Sequence, residues 1–368
     1  MTLSRRKAIA LIGGGTVLAA SASAAGFVTT RTPRKALEPW RLAGGYADPR
    51  QRALSYALLA PNAHNRQPWM AELIGVDRIR LHRDPGLNLP ETDPFDRQLT
   101  ISMGCFVELL RIAAAQDGYT AQITPFPEGG NLIVADIVFS EGAAPDPLAD
   151  GIMDRRSCKE PFEDRAVEAE VAKALMPYAE IITDPALVAQ IKDLTWKAWV
   201  VEATTQSAMK ESVELMRFGK AEINANPDGI DLGGPFLEAL MLAGQITRET
   251  QLDPNSRSFQ TGVEIYREML HATPAYAVLT SKGNTRVDQL EVGQRWLRLN
   301  LATTLAGLQL HPISQCLQEY REMSVLHAQA QALMGRGGET VQTLGRLGYG
   351  PQTPQTPRWP LDVKLKNA

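Results

Sequence analysis

Three short stretches of the chain bring together side chains that could do chemistry. The first is Ala60-Pro61-Asn62-Ala63-His64-Asn65-Arg66-Gln67-Pro68-Trp69. Asparagine and glutamine amides both donate and accept, which suits them to reading the edge of a heteroaromatic ring. The two prolines hold such a loop in one shape. The second stretch is Asp154-Arg155-Arg156-Ser157-Cys158-Lys159, where fork-shaped guanidinium donors beside a hydroxyl match the oxygens of a phosphate. The third runs from Leu347-Gly348-Tyr349-Gly350-Pro351 to Thr356-Pro357-Arg358-Trp359-Pro360. Its prolines and glycines make a non-helical tail that holds Arg358 in one place. Each stretch also has a plain structural meaning when taken alone: a helix stop, a solvated charged loop, a packed tail.

Composition limits what these groups can serve. The chain has 368 residues, 44% hydrophobic and 21% charged, enough to bury a sizeable core. Disorder, collagen and a multi-span membrane protein are excluded. Cys105, Cys158 and Cys316 are widely spaced and form no CxxC pair, which excludes a disulfide scaffold and a zinc finger. Five histidines without an HExxH pair give no expectation of a catalytic metal. A net charge of −3 with scattered lysine and arginine gives no footprint for nucleic acid. Arg156 and Lys159 would favour a Cys158 thiolate, but no motif supplies a histidine base beside it, so nucleophilic catalysis is not expected there.

The elements that must position these stretches can be read from periodicity. A helix begins near Asp48 and stops at Pro61. Alternation over residues 71–81, 120–125 and 131–139 marks strands. A long helix lies between them, over residues 95–116, closed by Gly118. The second half reads mostly helical: 168–175, 185–218, 234–243 and 258–271. A buried strand over 275–280 precedes a helix over 287–305, closed by Gly307, and Pro312 opens a further helical segment. The sparsely charged stretch 218–244 could serve as a mobile cover. The two long helices share one Gly-to-Gly spacing, from Gly104 to Gly118 and from Gly293 to Gly307. In that register Leu110 matches Leu299 and Ala113 matches Ala302. Two α+β copies packed like a dimer within one chain would place a composite site at their junction.

The N-terminus reads as an address. Ser4-Arg5-Arg6-Lys7 precedes an uncharged stretch rich in alanine and glycine, and Ala22-Ser23-Ala24 gives a small-x-small cleavage pattern. The paired arginines resemble the twin-arginine export signal, with a retained membrane anchor as the alternative. The expected organisation is a signal over 1–24, a linker over 25–45, a first half over 46–145 and a second over 151–368. Periplasmic location follows if the signal is cleaved, and a membrane-anchored form if it is not.

Together the three stretches resemble the nitroreductase family of flavin mononucleotide (FMN) enzymes. Pro61, Asn65, Gln67, Pro68 and Trp69 look like its Pro-x-x-x-Asn-x-Gln-Pro-Trp segment. Arg155, Ser157 and Lys159 look like its Arg-x-Ser-x-Lys/Arg start. Gly307-Leu308, with His311-Pro312-Ile313-Ser314-Gln315, resembles the segment beside the flavin, and Gly348-Tyr349 with Pro357-Arg358 resembles the closing segment. The Arg-x-Ser motif follows the Asn-x-Gln-Pro-Trp motif here, the reverse of the usual order. That order resembles a twin-domain subgroup in which two nitroreductase-like halves are fused.

The resemblance implies an α+β fold of two pseudo-symmetric halves, helix-rich with central antiparallel sheets, in a chain that could be monomeric. It implies one FMN per chain. Arg155, Arg156, Ser157 and Arg358 would meet the phosphate, and Lys159 the N1 and O2 edge of the ring. Asn62, Ala63, Asn65 and Gln67 would come from the first half. Pro312, Ile313, Ser314 and Gln315 would lie beside the ring, with a backbone N–H facing N5. Many relatives carry serine where Asn62 and Ala63 stand. His64 and His311 flank these loops, as hydrogen-bond partners or as packing groups. The implied activity is two-electron reduction of a nitroaromatic or quinone-like acceptor, with NAD(P)H as a transient reductant. No GxGxxG follows a strand, so no separate nicotinamide domain is expected. The alternative is a non-catalytic protein that stores or sequesters FMN under a cover.

Overall fold

The computed structural model describes Phe27 and residues 30–366. The expected export signal, 1–24, lies outside them. A short helix α1 (Glu38–Leu42) leads to α2 (Pro49–Ala57). Asp48 caps α2 by accepting from the Arg50 N–H, and Pro49 fills a first-turn position where no N–H is needed. Strands β1 (Trp69–Ile74) and β2 (Arg78–Arg83) follow as an antiparallel hairpin with Trp69 opposite Arg83. The alternation over 71–81 reads as one strand, but Gly75 takes φ 55° and turns the chain there. Helix α3 (Arg97–Gln116) then leads into β3 (Tyr119–Pro125) and β4 (Ile133–Glu141). Asp93 starts α3 by accepting from the Gln98 and Leu99 N–H groups, at 3.1 and 2.9 Å. The first sheet has the order β1-β2-β4-β3.

The second half opens with α4 (Ala169–Leu175), β5 (Glu180–Ile182) and α5 (Pro185–Thr204). The expected single helix over 185–218 breaks at Thr205, which is extended, and α6 (Gln206–Glu214) starts anew. Strands β6 (Met216–Phe218) and β7 (Ile230–Leu232) pair in parallel around α7 (Gly219–Ala225). Next come α8 (Pro235–Leu242), α9 (Arg248–Leu252) and α10 (Arg257–His271). Strand β8 (Ala275–Ser281) precedes α11 (Arg286–Leu305) and β9 (Gln309–Pro312). Pro312 therefore ends a strand rather than opening a helix. The chain closes with α12 (Ser324–Met334) and β10 (Thr340–Gly348), giving a second sheet of order β5-β8-β10-β9. Strand β10 was hidden in the sequence because a central strand buried on both faces need not alternate.

The two sheets have the same plan. In each, the long helix separates the second strand from a later pair whose final strand inserts between its neighbours. Helices α3 and α11 are both 20 residues long, and each places its glycine seven residues after its start. Gly104 and Gly293 meet where the helices cross. A Cβ added to Gly104 would lie 2.1 Å from the Leu290 carbonyl oxygen, and one on Gly293 would lie 2.0 Å from that of Ile101. The matched spacing is thus a pseudo-two-fold contact. Around it Cys105, Phe106, Leu109, Leu297 and Leu301 belong to one continuous core that draws on both halves.

Gly104→Ala is expected to lower the unfolding free energy by at least about 2 kcal/mol despite alanine's better helix propensity, because backbone must move. Gly262→Ala in α10 meets open space and is expected to gain about 0.5–1 kcal/mol. Urea denaturation of both variants checks the contrast, and equal effects would contradict so close a crossing.

Candidate functional site

The loop after α2 is built under strain. His64, Asn65 and Gln67 adopt φ of 48°, 52° and 50°, a region that costs a non-glycine residue roughly 1–2 kcal/mol. Hydrogen bonds from several elements offset that cost. Asn62 Oδ1 accepts from the Gln67 N–H at 2.7 Å, and Ser102 Oγ of α3 accepts from the Ala63 N–H at 3.0 Å. Gln67 is fully buried. Its Nε2 donates to the Pro227 carbonyl at 2.7 Å, and its Oε1 accepts from the Trp359 N–H at 2.9 Å. Lys364 Nζ donates to the Gln67 carbonyl at 2.7 Å. Gln67 is thus a strut tying the loop to the β6–β7 connection and to the C-terminal segment, rather than a group free to read a ring edge.

Against this loop sit three guanidinium groups. Arg155, from the turn after residues 147–151, donates to the Leu59 carbonyl at 2.9 Å and to Asn300 Oδ1 of α11 at 3.0 Å. Arg358 donates to the same Leu59 carbonyl, to that of Ala60, and to Asn65 Oδ1 at 2.8 Å. Arg156 lies over the Trp40 ring at 4.7 Å, with Arg358 5.8 Å from the same centroid. The end of α2 therefore gathers arginines from two distant parts of the second half. Asn65 and Arg155 share one network, through Arg358 and Leu59.

The charge balance of this network is unusual. Arg155 and Arg358 are 3% and 2% exposed, yet among the described residues neither forms an ion pair with a carboxylate. Burial pulls Arg155 down to about 10, and the adjacent Arg156 lowers it further. Burial pulls Arg358 down to about 9, and Arg155 adds to that effect while Asp231 opposes it from a distance. The Nε atoms of Arg156 and Arg358 are buried without a hydrogen-bond partner. Like charges confined together are costly to bury, and a bound anion would lower that cost. The terminal nitrogens of Arg155 and Arg358 are already engaged by protein oxygens, which leaves the Nε donors of Arg156 and Arg358 as the open positions.

A second group of residues converges nearby. Lys159 is exposed, and its charge acts on both His64 and His311. Burial, aided by Lys159 and Arg66, pulls His64 down to about 4, so it is neutral at physiological pH. His311 lies well below its usual value, chiefly through burial and then through Arg346, whose Nε approaches His311 Nδ1 at 3.1 Å. Ser157 is half-buried beside the arginines. Pro312 is exposed, Ile313 is buried in the second half's core, and Ser314 Oγ accepts from the Leu344 N–H at 3.1 Å. Gln315 opens a 3-10 turn, Gln315–Leu317. Arg346 is the functional scaffold that sequence reading missed. Wholly buried, it donates to the Cys158 and Glu160 carbonyls at 3.2 and 3.1 Å and so pins the segment bearing Lys159. A lone arginine in an unrecognised strand gave no signal. Cys158 is buried too, its Sγ donating to the Pro351 carbonyl at 3.4 Å.

Comparison with known proteins adds relatives of similar length. No protein-family model matches the chain. An uncharacterised protein of Mycobacterium tuberculosis is 26% identical over 329 residues, 86% of this chain and 92% of the relative. A second protein of that organism, carried under the provisional name NAD(P)H nitroreductase acg, is 26% identical over 338 residues, 84% of this chain and 93% of the relative. Among solved structures, the FMN-dependent nitroreductase NfnB of Mycobacterium smegmatis, in complex with NADPH, is 17% identical. It matches over 59% of this chain and 96% of its own length, with a TM-score of 0.37.

Inorganic phosphate is expected to raise the thermal midpoint of ligand-free protein, since an anion bound only by the folded state stabilises it by mass action. Arg358→Ala should abolish the shift. An equal shift with chloride at matched ionic strength would contradict an anion seat.

Proposed function

We propose that the chain is an exported FMN-binding oxidoreductase of the nitroreductase type, which passes two electrons to an electron-poor acceptor. One observation carries this reading. A cluster of arginines that form no carboxylate ion pair among the described residues lies where the strained Asn65 loop of the first half meets the 155–159 and 356–360 segments of the second. The residues fit the group. A dianionic phosphate would complete Arg155, Arg156 and Arg358, with Ser157 beside them, and would give the open Nε donors of Arg156 and Arg358 a partner. Asn62, Ala63 and Asn65 would hold the ring from the first half, and residues 312–315 from the second.

Bound FMN supplies two-electron chemistry at N5. The protein's own part is to seat the phosphate, to hold a positive charge at Lys159 near the ring's polar edge, and to keep His64 and His311 neutral. A cation beside the N1 and O2 edge favours the reduced, anionic ring and so raises its potential. Nitroaromatics and quinones are the acceptor classes, with NAD(P)H as the transient reductant. The single junction implies one FMN per chain. The name of the mycobacterial relative supports the same chemistry.

A second reading has its own observation. The 218–244 segment is clamped onto the loop: Gly229 N–H donates to the Asn65 carbonyl at 3.2 Å, and Asp228 pairs with Arg66 at 3.3 Å and Arg217 at 2.7 Å. Such a cover suits a protein that stores FMN and turns over little.

Purified protein should be yellow, with one FMN per chain. Arg155→Ala and Arg358→Ala should each weaken retention by about 1.5–3 kcal/mol, the worth of a charged hydrogen bond, or roughly 10- to 150-fold. Full flavin content in both variants would refute the assignment. Reduction by NADPH followed by reoxidation with a nitroaromatic separates the enzyme from the storage protein. For export, replacing Arg5 and Arg6 together by lysine should leave the protein in the cytoplasm. Undiminished periplasmic protein would refute the twin-arginine route.

A further inference from the structure

The C-terminal segment is laced to the first half by hydrogen bonds to its own backbone. Trp40 Nε1 donates to the Thr356 carbonyl at 2.8 Å. The Arg358 N–H donates to the Ala36 carbonyl at 2.8 Å, and the Lys366 N–H to the Ala71 carbonyl of β1 at 2.9 Å. Leu361 is buried and joins the core that both halves share. Between these anchors lies a 3-10 turn, Leu361–Lys364. Its last residue is buried: Lys364 is only 4% exposed, and its Nζ donates to the Gln67 carbonyl at 2.7 Å. Among the described residues Lys364 forms no ion pair.

A buried ammonium that ends on a backbone carbonyl is a costly way to hold a chain in place. An apolar side chain would pack there without that cost, so the charge needs a reason. The reason lies in the acceptor. Gln67 has φ of 50°, and such a backbone persists only where its surroundings over-determine it. The Gln67 N–H donates to Asn62, its side-chain amide donates to Pro227, and its side-chain oxygen accepts from Trp359. That leaves the carbonyl, and Lys364 takes it. This carbonyl belongs to the peptide that joins the loop to Pro68 and β1. The next carbonyl, that of Pro68, is already fixed by the Asp84 N–H at 2.8 Å. Burial pulls Lys364 down to about 8, against Asp228 and Asp84, which favour the charge, so the ammonium persists at neutral pH. A charge-assisted hydrogen bond is about twice as strong as a neutral one.

We propose that Lys364 is the positioning residue of the Asn65 loop. Its ammonium locks the Gln67–Pro68 peptide, and through that peptide the left-handed turn that brings Asn65 Oδ1 to Arg358. Lys364 acts only through the loop. Lys364→Met keeps the packing of the stem and removes the donor, so the Gln67 carbonyl must turn toward water and the loop opens. The effect on ligand binding rests on the flavin reading, whereas closure of the loop can be read without any ligand.

Native trypsin digestion of the full chain, with cleavage sites mapped by mass spectrometry, reads the loop at Arg66, which the closed loop holds against Asp228. Cleavage after Arg346, wholly buried in β10, reads the rest of the fold. In Lys364→Met, cleavage after Arg66 is expected to rise at least about fivefold while cleavage after Arg346 stays within about twofold. FMN affinity, measured by flavin fluorescence, should fall at least about fivefold. Lys364→Arg keeps a cationic donor and should lie nearer to the wild type in both readings. Should methionine prevent folding, Lys364→Gln, uncharged and one bond too short, takes its place with the same expectations. In an Asn65→Ala background, Lys364→Met should cost less than about twofold further in FMN affinity, because both residues act through one loop. Unchanged cleavage after Arg66, equal acceleration at Arg66 and Arg346, or the same loss of affinity in both backgrounds overturns the proposal. Wild-type protein that binds no FMN, with Arg66 still opened by Lys364→Met, would count against the proposed function and leave the Lys364 lock standing.

Discussion

The structure turns on two arginines sharing one carbonyl. Arg155 and Arg358 both donate to the Leu59 carbonyl just after α2, deep in the junction of the halves, and among the described residues neither forms an ion pair with a carboxylate. Desolvating two like charges side by side is unfavourable, and the fold accepts it only by surrounding them with oxygens. The Leu59 and Ala60 carbonyls, Asn65 Oδ1 and Asn300 Oδ1 serve that purpose. The left-handed turn at His64 and Asn65 places Asn65 Oδ1 among them. Strain in the loop and unmet charge in the arginines are therefore two sides of one arrangement, and an anion relieves the second.

That arrangement needs the halves held in one register. The glycine contact between α3 and α11 does this, because neither helix can rotate or slide without driving backbone into backbone. Asn300 of α11 reaches Arg155 while Ser102 of α3 holds the Ala63 N–H. The crossing therefore sets the site from both sides. Its two-fold relation would generate a second, equivalent site in a true dimer. In this chain the loop corresponding to 58–67 is replaced by a short turn between α4 and β5, which leaves no second Asn-x-Gln-Pro-Trp loop. Fusion thus allows one junction to specialise.

Much of this was legible in the sequence because it depended on local chemistry. The proline-framed Asn65 loop, the Arg155–Lys159 run and the Pro357-Arg358 pair all carry their meaning in short spans. The equal Gly-to-Gly spacing gave away the duplication. What stayed hidden depends on long-range burial. Gln67 looks like a recognition residue, and only its bonds to Pro227 and Trp359 reveal a strut. Arg346 and Lys364 act through backbone carbonyls far away in sequence. Strand β10 lacks alternation because both its faces are covered, and α5 stops at an extended Thr205 whose hydroxyl donates back to the Val201 carbonyl, with no proline or glycine to mark the end.

The most direct test of the split seat is a phosphorus magnetic resonance titration of the protein loaded with FMN. A free phosphate monoester changes protonation near pH 6. Held between Arg155, Arg156 and Arg358, the phosphate should stay dianionic, with a resonance that does not move between pH 5 and 8. A bound phosphate that titrates like the free cofactor would mean that the arginines do not hold it.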